Sequence, residues 1–459
     1  MFFRFSSFLL FASYACALWI PIKREAAQFP TGVVRNPQAD SDIGFSDVQN
    51  LMYSATLRVN GREFQVQVDS GSSDLWIDAS ALDLPGVHHT GYDSITEYGD
   101  GSSAGGEIVL ANVTMGEFTV VNQALTLSPG SNATGGGLCQ GLLGVGPYAG
   151  SQIYKTLNNT KFNGVNFLTN IFNLVPDEPA YMTFLLSRTN TGVTQGGVMS
   201  IGELVSNLTH IKEAPKLPVF TDAGWVTVSD GVVVNGKHHA AHTVSTASGK
   251  KSLAMIDTGT TVGTIPRDVL DFMYKDLPGA KWSEDDSTYQ VPCNTKVNIS
   301  LVFSGVSYPI HPIDAVIPDI GDDGAVSCYA AWEAQDNGLM ILGDTFMRNV
   351  YSLFHFGDKF TMRPGDRAPH MQLLSVTDPG TAWKEYEQLH ARRIADLVYE
   401  KFAKDFKVQT TTALSATSTA SSQYTLVRHH SKAAMTAFAT GTPAPTNTAE
   451  EYKRREYVY

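Results

Sequence analysis

The chain has 459 residues, of which 43% are hydrophobic and 17% charged, a globular composition with enough length for two or three packed domains. Its formal net charge of -12 at pH 7 excludes the basic surface that a nucleic-acid binder needs, so no nucleic-acid partner is expected. The same charge suits work below neutral pH, where carboxylates lose charge and self-repulsion falls.

Residues 1–17 read as a secretory signal peptide. Arg4 supplies a positive start, Phe8 to Ala17 is apolar but too short to cross a bilayer, and Ala15-Cys16-Ala17 has the small-residue pattern of a cleavage site. No other stretch is apolar for long enough to span a membrane. The chain is therefore expected to be secreted and extracellular, with the vacuole or the cell wall as other destinations of that route. Residues 18–45 contain Pro21, Pro30 and Pro37 and the dibasic pair Lys23-Arg24, and read as an irregular pro-segment or N-terminal arm.

Frequent Val, Thr, Ser and Gly over the first 370 or so residues favour short strands and turns over helices. Leu51 to Leu57 begins the strand pattern, Asn60-Gly61 marks a hairpin, and Phe64 to Val68 alternates into Asp69, with Gln67 and Asp69 on one side. Ile95 to Ser103 reads as a second hairpin with glycine at its tip, either a plain surface turn or a mobile cover over a cleft. Gly135-Gly136-Gly137 lacks the following Lys-Ser/Thr of a phosphate loop and leads into Leu142-Leu143-Gly144.

The stretch Val68-Asp69-Ser70-Gly71-Ser72-Ser73-Asp74-Leu75-Trp76 returns in shortened form as Ile256-Asp257-Thr258-Gly259-Thr260-Thr261. Each copy is followed, far downstream, by an apolar-apolar-Gly segment, Leu142-Leu143-Gly144 and Ile341-Leu342-Gly343. This internal repeat predicts two similar β lobes, 46–218 and 219–376, with a cleft between them. An Asp at the end of a buried strand, followed by Gly, sits on a tight turn with its carboxyl accessible. Two such turns face to face would set two carboxyls together, and two close carboxyls cannot both ionise easily, so an acid and a base share one site.

Asn235-Gly236 marks a hairpin and Tyr351 to Phe356 a late strand in the second half. Cys16 leaves with the signal, Cys293 and Cys328 are expected to pair in an oxidising compartment, and Cys139 is read as a buried inert thiol. Closing the Cys293–Cys328 loop would add about 3–4 kcal/mol in the chain-entropy model. Sequons at Asn112, Asn132, Asn158, Asn207 and Asn298 are candidate glycosylation sites. His238, His239 and His242 cluster, as do His88 and His89, but without the helical His-Glu pattern of a zinc site, so no metal and no cofactor are expected. Trp383, Tyr386, His390, Ile394, Leu397, Val398 and Phe402 recur at helical spacing and predict an amphipathic helix over 377–408, docked on the lobes. The Ser/Thr-rich stretch 409–459 reads as a disordered tail without an anchoring apolar end.

With those residues in view, the chain resembles the pepsin-like aspartic proteases, the fungal secreted type in particular, over about residues 46 to 370. The resemblance implies an all-β, bilobal acid-protease fold, here with an added C-terminal helix and tail. It implies peptide-bond hydrolysis in proteins at acidic pH, by a water activated between Asp69 and Asp257, preferring apolar residues around the scissile bond. Protein or peptide substrates are the implied partners of a monomer made as a zymogen. It also implies that Ser70 and Thr258 cross-link the two turns, that Ser72 and Thr260 bond the outer carboxylate oxygens, and that Gly71 and Gly259 keep backbone near the dyad. Tyr98, beside Gly99, would close over substrate with its hydroxyl near Trp76, and Asp100 would admit Lys at the position before the cut. Ser70 departs from the family's usual Thr but keeps the hydroxyl. The rival readings are a non-catalytic binding or inhibitor-type protein on the same fold, in which an Asp or the Tyr is usually lost, and a wall-associated protein whose helix and tail dominate.

Overall fold

The computed structural model describes residues 29–410 apart from 37, 40–41, 49–51, 80–83, 134–136, 189–192, 241–243, 247–248, 322 and 336–337. The signal segment, Lys23-Arg24, His242 and the tail beyond Thr410 lie outside the described residues. The fold is strands with few helices, the all-β class expected.

Both Asn-Gly pairs form the tight turns that the sequence marks. Asn60 and Gly61 have φ of 47° and 85° and join Met52–Val59 to Arg62–Asp69, with Val59 opposite Arg62. Asn235 and Gly236, at 49° and 79°, do the same between Gly231–Val234 and Lys237–His239. Positive φ at both central residues matches the twist of the flanking strands and strains Asn and Gly least.

The sequence repeat becomes one local topology built twice. Gly141–Gly144 lies parallel to Arg62–Asp69, with Gly144 opposite Asp69, and antiparallel to Leu75–Ile77. Leu339–Leu342 lies parallel to Leu253–Ile256, while Ile341 pairs antiparallel with Thr264. Parallel partners need a long crossover, which is why each apolar-Gly segment comes from far downstream of its Asp.

The first of these units is continuous with a set of strands shared by the two halves, all in one 14-stranded sheet. Tyr181–Leu186 pairs on one side with Val193–Ile201 and on the other with Val350–His355, which pairs with His370–Ser375. Late strands thus lie beside strands of the first half, and the largest buried cluster includes Val66, Val68 and Leu143 together with Trp225, Ile256 and Phe354. Trp225 meets Phe354, Phe356 and Phe360 edge-on at centroid distances of 5.2, 5.0 and 5.6 Å. Its indole N–H donates to Val145 O across the halves at 3.2 Å.

The N-terminal arm is more regular than its prolines suggest. Gly32–Arg35 pairs with Phe118–Val121, and Asp42–Val48 pairs with Val193–Ser200. Pro30 precedes the first of these strands, where a missing N–H is tolerated; that strand is held by a partner distant in sequence, and the second both by Val193–Ile201 and by the adjacent Met52–Val59. The C-terminal helix runs Pro379–Thr410 and docks through buried Ala382 and Tyr386. Tyr386 O–H donates to Thr295 O at 2.7 Å and Arg393 Nη1 to Ile313 O at 2.6 Å, while Lys296 lies 4.3 Å over the half-exposed Trp383 ring. Cys293 and Cys328 are joined, and Cys139 is a buried thiol. Among the described residues no helix is long and apolar enough to cross a membrane.

Candidate active site

The strand Arg62–Asp69 alternates so that Phe64, Val66 and Val68 enter the core, which leaves Gln67 and Asp69 on the other side. Asp69 ends the strand and Ser70-Gly71 turns the chain. Leu253–Ile256 brings Asp257 to an equivalent turn. A Cβ on Gly71 would fall 2.6 Å from Asp257 Cγ, and one on Gly259 would fall 2.2 Å from Asp69 Oδ1. Each glycine therefore lies against the opposite carboxyl, and no other residue type fits there.

Four hydrogen bonds tie the turns reciprocally. Ser70 Oγ donates to Ile256 O at 2.9 Å and accepts from Thr258 N at 3.0 Å. Thr258 Oγ1 donates to Val68 O at 2.8 Å and accepts from Ser70 N at 3.0 Å. The carboxyls are held symmetrically as well. Asp69 Oδ1 accepts from Gly71 N at 2.8 Å and Oδ2 from Ser72 Oγ at 2.5 Å. Asp257 Oδ1 accepts from Gly259 N at 2.8 Å and Oδ2 from Thr260 Oγ1 at 2.5 Å.

Both carboxyls are fully buried, and burial pushes both above the usual carboxylate range. Asp69 is raised the further, because the charge of Asp257 adds to burial. Such a pair titrates as a unit.

One cross-link has no mate in the other half. Gln67 Nε2 donates to Gly259 O at 3.1 Å, whereas the residue two before Asp257 is the apolar Met255. Gly144 and Gly343 let the flanking strand ends pass close by: added Cβ atoms would lie 2.5 Å from Asp74 N and 2.1 Å from Thr260 O. The hairpin expected over 95–103 is formed by His88–Glu97 and Ser103–Met115, with a Tyr98-to-Ser102 turn. Tyr98 is buried, and Trp76 Nε1 donates to its hydroxyl at 2.6 Å. Gly99 is exposed at the tip, and Asp100 Oδ1 accepts from Ser102 N at 2.9 Å and Ser102 Oγ at 2.6 Å.

Two groups in the surroundings were not singled out from sequence. Asp74 is buried and accepts from Ser151 Oγ (2.5 Å), Gln152 N (2.8 Å) and Thr96 Oγ1 (3.0 Å), which fastens the hairpin to the first turn. Asp344 directly follows Gly343, and that adjacency to an already marked segment was its only signal. Both its carboxylate oxygens are buried without a hydrogen bond, and burial raises it well above the usual range despite the Arg348 charge nearby. Arg348 instead donates to buried Asp314 at 2.9 Å, as does Arg188 at 2.8 Å, and the two guanidiniums outweigh burial to hold Asp314 far below the usual range.

The remaining expected residues lie elsewhere. Asn112, Asn132, Asn158, Asn207 and Asn298 are all exposed. His89 pairs with Glu107 at 2.9 Å, His238 bonds Asp230 O at 2.9 Å, and His239 stacks on Phe272 at 4.6 Å. No metal-ligating group of three occurs among the described residues.

With paired carboxyls at the ends of two matched turns, the fold and site define an aspartic protease. The chain belongs to the eukaryotic aspartyl protease family, whose family model matches residues 52–361. It is 27% identical to an aspartic protease of Phaffia rhodozyma over 327 residues, covering 67% of this chain and 74% of that one. It is 29% identical to rhizopuspepsin of Rhizopus chinensis over 324 residues, 66% of this chain and 75% of that one. For aspergillopepsin-1 of Aspergillus fumigatus the identity is 25%, with 71% and 81% covered. The crystal structure of the aspartic proteinase from Irpex lacteus shares the fold, with a TM-score of 0.56 at 18% identity, over 74% of this chain and 99% of that one.

Ser70→Ala removes a hydroxyl that both donates and accepts, and strands Ile256 O and Thr258 N in the interior. Denaturant unfolding should show a loss of about 2–4 kcal/mol, whereas Thr258→Ser, which keeps its hydroxyl, should stay within about 1.5 kcal/mol. Equal losses in the two variants would assign the effect to packing instead of the cross-link. Asp69, Asp74, Asp257 and Asp344 are all raised. The folded chain then keeps protons that the unfolded chain releases at about pH 4, so their contribution is full below that pH and is lost as pH rises towards the folded values. Asp314 is depressed, so its contribution persists above about pH 4 and is lost only in stronger acid. Asp344→Asn should flatten the decline in unfolding midpoint between about pH 4 and 7; an unchanged slope removes Asp344 from the account.

Proposed function

We propose that Asp69 and Asp257 are the catalytic pair of a secreted endopeptidase that cuts internal peptide bonds of proteins at acidic pH. The observation that carries this is the reciprocal turn pair, with each glycine against the other half's carboxyl and both acids raised by burial; the reaction starts from the state in which the pair holds one proton. In that state the ionised carboxylate takes a proton from a water as the water attacks the peptide carbonyl, and the protonated carboxyl donates to the carbonyl oxygen. Ser72 and Thr260 hold the outer oxygens, so each inner oxygen faces the reacting atoms. Tyr98 and the hairpin cover the substrate and exclude water. Secretion is supported by the character of residues 1–17 and by the five exposed sequons. Substrates are proteins and peptides with apolar residues at the cut, and the enzyme acts as a monomer.

Hydrolysis of a denatured protein at about pH 3–6 tests this, with and without pepstatin. Asp69→Asn and Asp257→Asn should each lower the rate by at least about 10³-fold. Full activity in either variant ends the two-carboxyl reading. Asp100, resting on the family resemblance and on its place at the hairpin turn, is read as a partner for Lys before the cut. Asp100→Ala should lower cleavage after Lys relative to Phe by about tenfold; an unchanged ratio discards that role.

A further inference from the structure

The shared sheet has a second face. Phe354 and Met371 point into the core with Trp225, so by the period of two their neighbours His355 and His370 point away from it, to the other face of the sheet. Tyr181, His355 and His370 lie in one row across three strands, and the two imidazoles stack at 4.6 Å. Over them opens a cavity of about 440 Å³ whose charged walls are mostly basic: Lys212, Lys216, Arg363 and Arg367 with the two histidines, against the carboxylates Asp177 and Glu178.

The carboxylates of this region are largely committed elsewhere. Glu178 bonds Arg35 at 3.1 Å, and Asp358, beside the cavity, bonds Arg367 at 2.6 Å. Asp177 is exposed, and Lys212, Lys216 and Arg363 form no ion pair among the described residues. Arg363 Nη2 donates to Val175 O at 2.8 Å, which fixes the guanidinium at the wall. The turn that carries the lysines is also fixed. Buried Gln372 donates to Ile211 O (3.2 Å), Lys212 O (3.2 Å) and Ala214 O (2.7 Å).

His355 Nδ1 accepts from Gly357 N at 3.0 Å, so the neutral ring carries its proton on Nε2 and offers a donor. Burial pushes His355 down to about 4, with His370, Arg367 and Lys216 adding to it against Asp358. His370 is lowered by burial and Lys216, against bonds to Ala368 and Gln372, and Arg363 is lowered by burial and Arg367, against Asp358, Asp177 and Glu178. The cluster is thus short of negative charge on a chain whose net charge is -12.

We propose that this cavity, on the face of the shared sheet away from Trp225, binds a doubly charged tetrahedral oxyanion, either a free ion or a phosphoryl group carried on a peptide. Lys212, Lys216 and Arg363 supply the permanent charge, and His355 and His370 supply donors that become cationic as the anion binds. Binding takes up protons, so affinity rises as pH falls.

Sulfate is the probe, since its charge stays constant across the range, and it is titrated calorimetrically into the full chain at about pH 4.5 and 7 with ionic strength held by NaCl. One saturable site is expected, about tenfold tighter at the lower pH, and weakened about tenfold by Lys216→Gln or His355→Gln. Peptide hydrolysis should be unchanged in both variants. Lys216 is exposed, so its replacement tests the charge without disturbing the core. Non-saturable binding, or equal affinity in Lys216→Gln and the parent, overturns the proposal. Competition by a blocked phosphoserine tripeptide, but not its serine form, assigns a peptide-borne phosphoryl group; sulfate binding without that competition assigns a free oxyanion.

Discussion

Everything at the site follows from one electrostatic constraint: two buried carboxyls are kept against each other where water cannot screen them. Burial raises both above the usual carboxylate range, and the charge of Asp257 raises Asp69 further. Holding them there needs a rigid frame, and Ser70 and Thr258 provide it by each donating to and accepting from the opposite backbone. The glycines follow from the same closeness, because the space a side chain would occupy at Gly71 and Gly259 is already the opposite carboxyl. Gln67 adds one unmatched bond, so the two turns are alike in path but not in support.

The charges beneath the pair are sorted by their partners. Asp344 lies buried with neither oxygen bonded and is driven towards its neutral form, while Asp314 is gripped by Arg188 and Arg348 and is driven the other way. Both are fully enclosed, so the difference is made by geometry: guanidinium donors reach Asp314 directly and reach Asp344 only through their field. A network of this kind is at rest in mild acid, where the raised carboxyls keep their protons and Asp314 has already lost its own.

The hairpin is anchored at its base and closed at its tip. Thr96 bonds Asp74 and Tyr98 bonds Trp76, while at the turn Asp100 bonds Ser102 and Gly99 stands in solvent. On the face of the shared sheet turned away from Trp225, His355 and His370 meet the cations that line the cavity.

The two Asn-Gly turns were legible because a tight hairpin needs Gly or Asn at positive φ, and the Asp-hydroxyl-Gly stretch with its apolar-Gly echo was legible because it occurs twice after apolar strand runs, although the reason for its glycines, the opposite carboxyl, is tertiary. The helix was legible for the same reason, its spacing running from Trp383 to Val398 within 379–410. The strands of the N-terminal arm were not, because Gly32–Arg35 pairs with Phe118–Val121 and the full length of Asp42–Val48 is matched only by Val193–Ser200, far along the chain, its end alone pairing with nearby Met52–Val59. Nor were the Arg188–Asp314–Arg348 grip, the burial of Asp344 or the cation-lined cavity. The sequence by itself determined that two matched acidic turns exist and what residues they can tolerate. Tertiary structure alone decided that they face each other, and which buried acids keep a proton. A carboxyl's charge is set by the distance and direction of its neighbours in space, which no spacing along the chain records.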